Sequence, residues 1–180
     1  MIKYKATLIA VKDIEKAKQF YYEVLGLEVV DDFGANVTLT GGIALQTHDS
    51  WIKFIHKQES DIVFKNNACE LYFEEDNMEA FMNKLEDRSS IEYVHPLTEH
   101  SWGQRVVRFY DLDKHIIEVG ENMITVVKRF LNSGLSMEEM AIRMDVPIDY
   151  IHHCLKMWDG ISWYSLLSSW VIKDMFKGHR

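Results

Sequence analysis

One order of elements, met twice, constrains this chain more than any other feature of it. Residues 4–11 are rich in β-branched and aliphatic side chains and read as a strand. Asp13 follows as a helix N-cap, and Ile14, Ala17, Phe20, Tyr21, Val24 and Leu25 recur at helical spacing until Gly26 ends the turn. Residues 27–32, 36–39 and 43–47 then read as three strands, parted by turns at Phe33-Gly34-Ala35 and Gly41-Gly42. A polar connection runs from His48 to Asn67, with Trp51, Phe54 and Ile55 as anchors of a short helical piece. The order then returns: a strand over 68–74, a cap at Asp76 or Asn77, a helix carrying Met78, Phe81, Met82 and Leu85, and further strands from 91–98 onward. A βαβββ repeat with a period of about sixty to seventy residues predicts an α+β fold of two like modules.

The second module closes with WGQRVVRFYDLDKHIIEVGE, residues 102–121. Alternation over 104–110 and 115–119 predicts two strands, joined by a turn at Asp111-Leu112-Asp113-Lys114. Glu118 stands in the middle of the otherwise apolar second strand. An ionised carboxylate there needs a cation, a donor or a metal if it is buried, and needs nothing if its face of the strand is wet. Aligning Asp13 with Asn77 as equivalent caps makes Ala6 and Glu70, seven residues earlier, equivalent sites in the entering strands.

From Asn122 the strands stop. Residues 124–131 predict one helix, ended by Asn132-Ser133-Gly134. The capping box Ser136…Glu139 opens a second, Asp145-Val146-Pro147 breaks it, residues 148–158 form a third, and 161–176 a fourth that is unusually aromatic. The expected domains are thus 1–121, with modules at about 1–50 and 68–121, and a helical extension over 122–180. GLSMEEMAIRMDVPIDYIHHCLK is similar to a helix-turn-helix of bacterial regulators. Its second helix, however, carries Lys156 as its one permanent cation and Asp149 near its front, whereas DNA readers present Arg, Lys, Asn or Gln there. Trp163, Trp170 and Phe176 could offer an apolar face to a partner subunit in a homodimer, or cover the first domain.

A net charge of −8 also argues against a nucleic-acid partner, and an apolar fraction of 47% suffices for a real core. Cys69 and Cys154 form no disulfide framework or zinc pattern and read as two buried thiols in a reducing cytoplasm. No apolar run approaches a membrane span, and the N-terminus lacks a signal-peptide core.

The stretches IAVKDIEKAKQFYYEVLGLEV and WGQRVVRFYDLDKHIIEVGE resemble the vicinal oxygen chelate superfamily, which holds glyoxalase I, bleomycin- and fosfomycin-resistance proteins, methylmalonyl-CoA epimerase and extradiol dioxygenases. The resemblance covers about residues 3–121. It implies two βαβββ modules curled into a cup, closed within one chain or across a dimer, with a divalent metal held by side chains from strand centres. The matching positions are Ala6, Gln46, Glu70 and Glu118, and Ala6 offers no donor. Gln46, Glu70 and Glu118 would then hold the metal (Mg, Mn, Ni or Zn), with hard ions favoured by the oxygen donors. Glu118 and Glu70 would be catalytic in lyase or isomerase chemistry next to a carbonyl of a small molecule. The alternative is a metal-free small-molecule binding or resistance protein, and a third is a ligand-sensing regulator. Trp51, Tyr72, Trp102 and Phe109 are candidate ligand-binding residues, as is Arg105. Arg105 and Arg108, three apart on a strand, point to opposite faces. His48, His56, His95, His100 and His115 lie scattered, and none is expected to be a metal ligand.

Overall fold

The computed structural model describes residues 1–158 of the chain. The expected helix over 161–176 lies outside the described residues. The first module runs β1 (Thr7–Val11), α1 (Ile14–Leu25), β2 (Val29–Asp32), β3 (Asn36–Leu39), β4 (Ile43–Thr47), and a short α2 (His48–Phe54) follows it. The second runs β5 (Glu70–Glu75), α3 (Met78–Glu86), β6 (Glu92–Glu99), β7 (Arg105–Tyr110), β8 (Ile116–Glu121). Each module makes one four-stranded mixed sheet, ordered β1-β4-β3-β2 and β5-β8-β7-β6. This is the predicted α+β fold of repeated βαβββ modules.

Local chemistry explains the helix boundaries. Asp13 accepts a hydrogen bond from the Lys16 amide at 3.1 Å, and Gly26, at φ 72°, turns the chain out of α1. At the matched position Asn77, not Asp76, caps α3 by accepting from the Ala80 amide at 3.0 Å. β1 starts at Thr7 instead of residue 4, because its parallel partner β4 begins at Ile43 after the Gly41-Gly42 turn. Residues further upstream have no ladder to join, and Tyr4 is exposed.

The chain divides into two compact units. The first holds Met1–Thr98 and Val106–Gly120, and the second holds Glu99–Arg105 with the residues from Glu121 onward. In the first unit, one core takes Val11, Tyr21, Val24, Val37 and Leu45 from the first module and Met78, Leu85, Val107, Phe109, Ile117 and Val119 from the second. Period two along the strands then sends Gln46, Arg108 and Glu118 to the faces turned away from this core.

The β7–β8 hairpin is tied to α1 through its turn. Asp111 is buried and accepts from the Asp113 amide (2.9 Å), the His115 amide (2.8 Å) and the Tyr21 hydroxyl (2.8 Å). Burial, reinforced by the Asp111 charge and hydrogen bond, pushes the Tyr21 hydroxyl well above its usual titration range, so it stays a donor. Tyr21→Phe leaves Asp111 short of one donor and is expected to cost about 1–3 kcal/mol in urea unfolding. A change within error would mean that the hydroxyl does not hold the turn.

The second unit contains α4 (Met123–Asn132), α5 (Met137–Met144) and α6 (Ile148–Trp158), packed on Val126, Val127, Phe130, Met140, Met144, Ile151 and Cys154. Ser136 and Glu139 form the expected reciprocal capping box on α5. Asp145 takes the left-handed turn position, at φ 54°, that links α5 to α6. The segment before β7 belongs to this unit because Gln104 donates to the Glu121 carbonyl at 3.0 Å, Arg129 bonds the Gly103 carbonyl, and Gly103 makes room for Phe130. Gly103 sits at φ +90°, and a Cβ there would clash with the edge of the Phe130 ring at its Cζ. The two thiols differ, contrary to expectation: Cys154 is buried in this core, while Cys69 is exposed ahead of β5. Among the described residues no helix is long and apolar enough to cross a membrane.

Candidate functional site

The outward face of the second sheet carries a row of polar side chains, one from each strand. In strand order they are Glu70 (β5), Glu118 (β8), Arg108 (β7) and His95 (β6). The hairpin register makes Arg108 and Glu118 direct cross-strand partners. Arg108 is the hub. Its Nε donates to Glu70 Oε2 at 2.9 Å, its Nη2 forms an ion pair with Glu118 Oε2, and its Nη1 lies 3.1 Å from His95 Nε2. Glu118 is 6% exposed, and its Oε2 is buried with no aligned hydrogen bond, so the guanidinium charge is what compensates it. The side chains of Glu70 and Arg108 are 39% and 24% exposed and face solvent above it.

The candidate residues fall into separate places. Gln46 is 2% exposed on β4, where its amide oxygen accepts from Asn36 Nδ2 at 2.8 Å and its amide nitrogen donates to Ser50. Tyr72 lies two residues along β5 from Glu70, half exposed, and its hydroxyl donates to Glu74 at 3.0 Å. Trp51 is half-buried on α2. Phe109 points the other way: it has no exposed surface and packs in the core, with its ring centroid 6.4 Å from that of Phe81. In the second unit Trp102 stacks on His100, with centroids 4.2 Å apart. There Arg105 grips the fully buried Glu121 with two hydrogen bonds, at 3.1 and 2.7 Å. The arginine beside Glu118 is therefore Arg108.

These residues do not fit the metal that the resemblance implies. Ala6 has no donor and lies outside β1, and the register sets Gln46 opposite Ala10. Gln46's amide oxygen is already engaged, and Glu70 and Glu118 both spend their charge on Arg108. Among the described residues no three His, Cys, Asp or Glu side chains form a group that could hold an ion. A guanidinium is already ion-paired with both carboxylates that would have to ligate one, and a dication beside it would meet like charge.

Arg108 and His95 are the residues that reasoning from sequence passed over. The signal for Arg108 was one residue of register away: the turn is centred on Asp113, which sets residue 108 across from 118 as an opposite-charge pair, whereas a four-residue turn over 111–114 would set it across from 117. His95, on an edge strand next to Pro96, carries no comparable signal.

The model of the glyoxalase-like domain family matches residues 4–124. None of the curated proteins compared with the chain matches it. Among solved structures, a protein of unknown function from Agrobacterium tumefaciens is 35% identical over 68% of this chain and 95% of its own, with a TM-score of 0.62. A hypothetical protein from S. aureus is 20% identical, covering 68% and 95%, with a TM-score of 0.56. A glyoxalase/bleomycin resistance protein/dioxygenase family enzyme from Burkholderia phytofirmans is 14% identical, covering 67% and 98%, with a TM-score of 0.58, and speaks for the fold alone. With its paired βαβββ modules and a family match across both of them, this chain belongs to the glyoxalase-like family of the vicinal oxygen chelate superfamily.

Proposed function

We propose that this protein is a small-molecule-binding member of the family in which Arg108 does electrostatically what a metal ion does in metal-dependent members. The observation that carries this reading is the Glu70–Arg108–Glu118 triad, in which one cation is ion-paired with both carboxylates at the positions where the resemblance implies metal ligands. A guanidinium has five N–H donors in a rigid plane, and Glu70, Glu118 and His95 leave some of them for a ligand. A carbonyl or carboxylate oxygen is the complementary group, and Tyr72 offers an exposed ring on the same strand face as Glu70 for the body of such a ligand.

A second reading is proton transfer next to that carbonyl, as in a lyase or isomerase. It is favoured by Glu70, whose side chain is 39% exposed in contact with the guanidinium that would polarise the oxygen, whereas that of Glu118 is 8% exposed. On this reading Glu70 moves the proton and Glu118 holds Arg108 in place.

Calorimetric titration with a panel of α-hydroxycarbonyl and α-keto acid compounds, with and without EDTA, tests the proposal. Binding is expected to survive EDTA and to weaken about 10–100-fold in Arg108→Gln, as for loss of a charge-assisted hydrogen bond. Binding that EDTA abolishes, or that Arg108→Gln leaves unchanged, would overturn it.

A further inference from the structure

The His95 contacts assign it a tautomer, and with it a task. Its Nε2 lies 3.1 Å from Arg108 Nη1, and its Nδ1 lies 2.8 Å from the Pro96 carbonyl oxygen. A guanidinium only donates and keeps its charge at any working pH, so Nε2 must present its lone pair. A carbonyl oxygen only accepts, so Nδ1 must carry the proton. The neutral ring with its proton on Nδ1 satisfies both contacts, and each other protonation state breaks at least one. A doubly protonated ring would set a second cation against Arg108.

We infer that His95 is a positioning residue: as a neutral acceptor it fixes the plane of the Arg108 guanidinium, which it shares with Glu70 and Glu118. The inference rests on the reading of Arg108 as the ligand's anchor. Three partners on three different strands hold the guanidinium: Glu70 at Nε, Glu118 at Nη2 and His95 at Nη1. Two of them attract it by charge from β5 and β8. His95 alone stands on the β6 side, so without it the fork is free to swing about its bonds to the carboxylates. β6 is an edge strand, which tolerates Pro96 and leaves its carbonyl to orient the ring. Among the described residues, the charged groups that meet His95 are Arg108 and, through it, Glu118 and Glu70. Taking up a proton on Nε2 would therefore turn the contact from attraction to repulsion and loosen the anchor.

Nitrogen-15 NMR of the imidazole and guanidinium groups of the full chain tests this without any ligand. At about pH 7.5 the His95 ring is expected as the Nδ1–H tautomer, with a resolved Arg108 Nε–H resonance. His95→Gln, which keeps an acceptor, should preserve that resonance, and His95→Leu should broaden or abolish it while the amide spectrum of the core stays in place. An Nε2–H tautomer, a doubly protonated ring at that pH, or an Arg108 signal indifferent to His95→Leu would overturn the inference. The two claims fail separately, since the ligand-binding reading stands or falls on the Arg108→Gln titration and these spectra do not depend on it.

Discussion

Arg108→Met is expected to lower stability by about 3 kcal/mol near neutral pH, a large fraction of what holds a domain folded. The variant keeps much of the volume of the side-chain stem but removes the charge that faces Glu118, whose carboxylate is almost wholly buried. A buried carboxylate stripped of its cation carries its full desolvation cost, and Glu70 adds like charge along the row. The double variant Arg108→Met/Glu118→Gln removes both charges and should recover most of the loss, giving a coupling energy well above 1 kcal/mol in a double-mutant cycle by urea unfolding. Additive effects would mean that the pair contributes nothing as a pair.

In the second unit the corresponding prediction concerns Glu121, whose side chain has no exposed surface and which accepts from Arg105 (2.7 and 3.1 Å) and from Arg129 (3.1 Å). Burial alone would push its carboxyl upward, but hydrogen bonds from Arg105 and Arg129 and their charges outweigh it and hold the group below the usual carboxylate range. Glu121→Leu leaves two guanidinium groups facing an apolar side chain and is expected to cost about 2–4 kcal/mol, discounted because both arginines are partly exposed. A carboxyl held low in the folded state stabilises fully above its unfolded value, about 4.3, and that contribution fades as pH falls from there toward the folded value. Wild type should therefore lose stability through this acid window, and Glu121→Leu should lose less. Equal acid sensitivity in both proteins would contradict the role given to Glu121.

Much of this was legible in the sequence, and what was legible is local. Asp13, Asn77 and Ser136 announce their helices because a cap acts within three residues of itself. The βαβββ repeat follows from period and turn chemistry in the same way. The site was less legible because its chemistry depends on cross-strand neighbours. Glu118 stands out as a buried acid in a strand, but its partner depends on a register that brings in Arg108, while Arg105, an equally good arginine in the same strand, goes to Glu121. Phe109 looks like any aromatic on a strand until the core claims its face. Gln46 was expected among the ligands the resemblance implies, yet its oxygen accepts from Asn36, ten residues earlier on the paired strand. Cys69 is exposed because it stands just before β5 begins, outside any packed element.

On the proposed reading, the Arg108 guanidinium takes the part of a metal ion beside Glu70 and Glu118. Metal content per chain tests it most directly, by elemental analysis of protein purified without chelator and again after soaking with Mg²⁺, Mn²⁺, Ni²⁺ and Zn²⁺, beside a Glu118→Gln control. Far less than one ion per chain is expected under every condition, with no difference from the control. About one ion per chain that disappears in Glu118→Gln would contradict it.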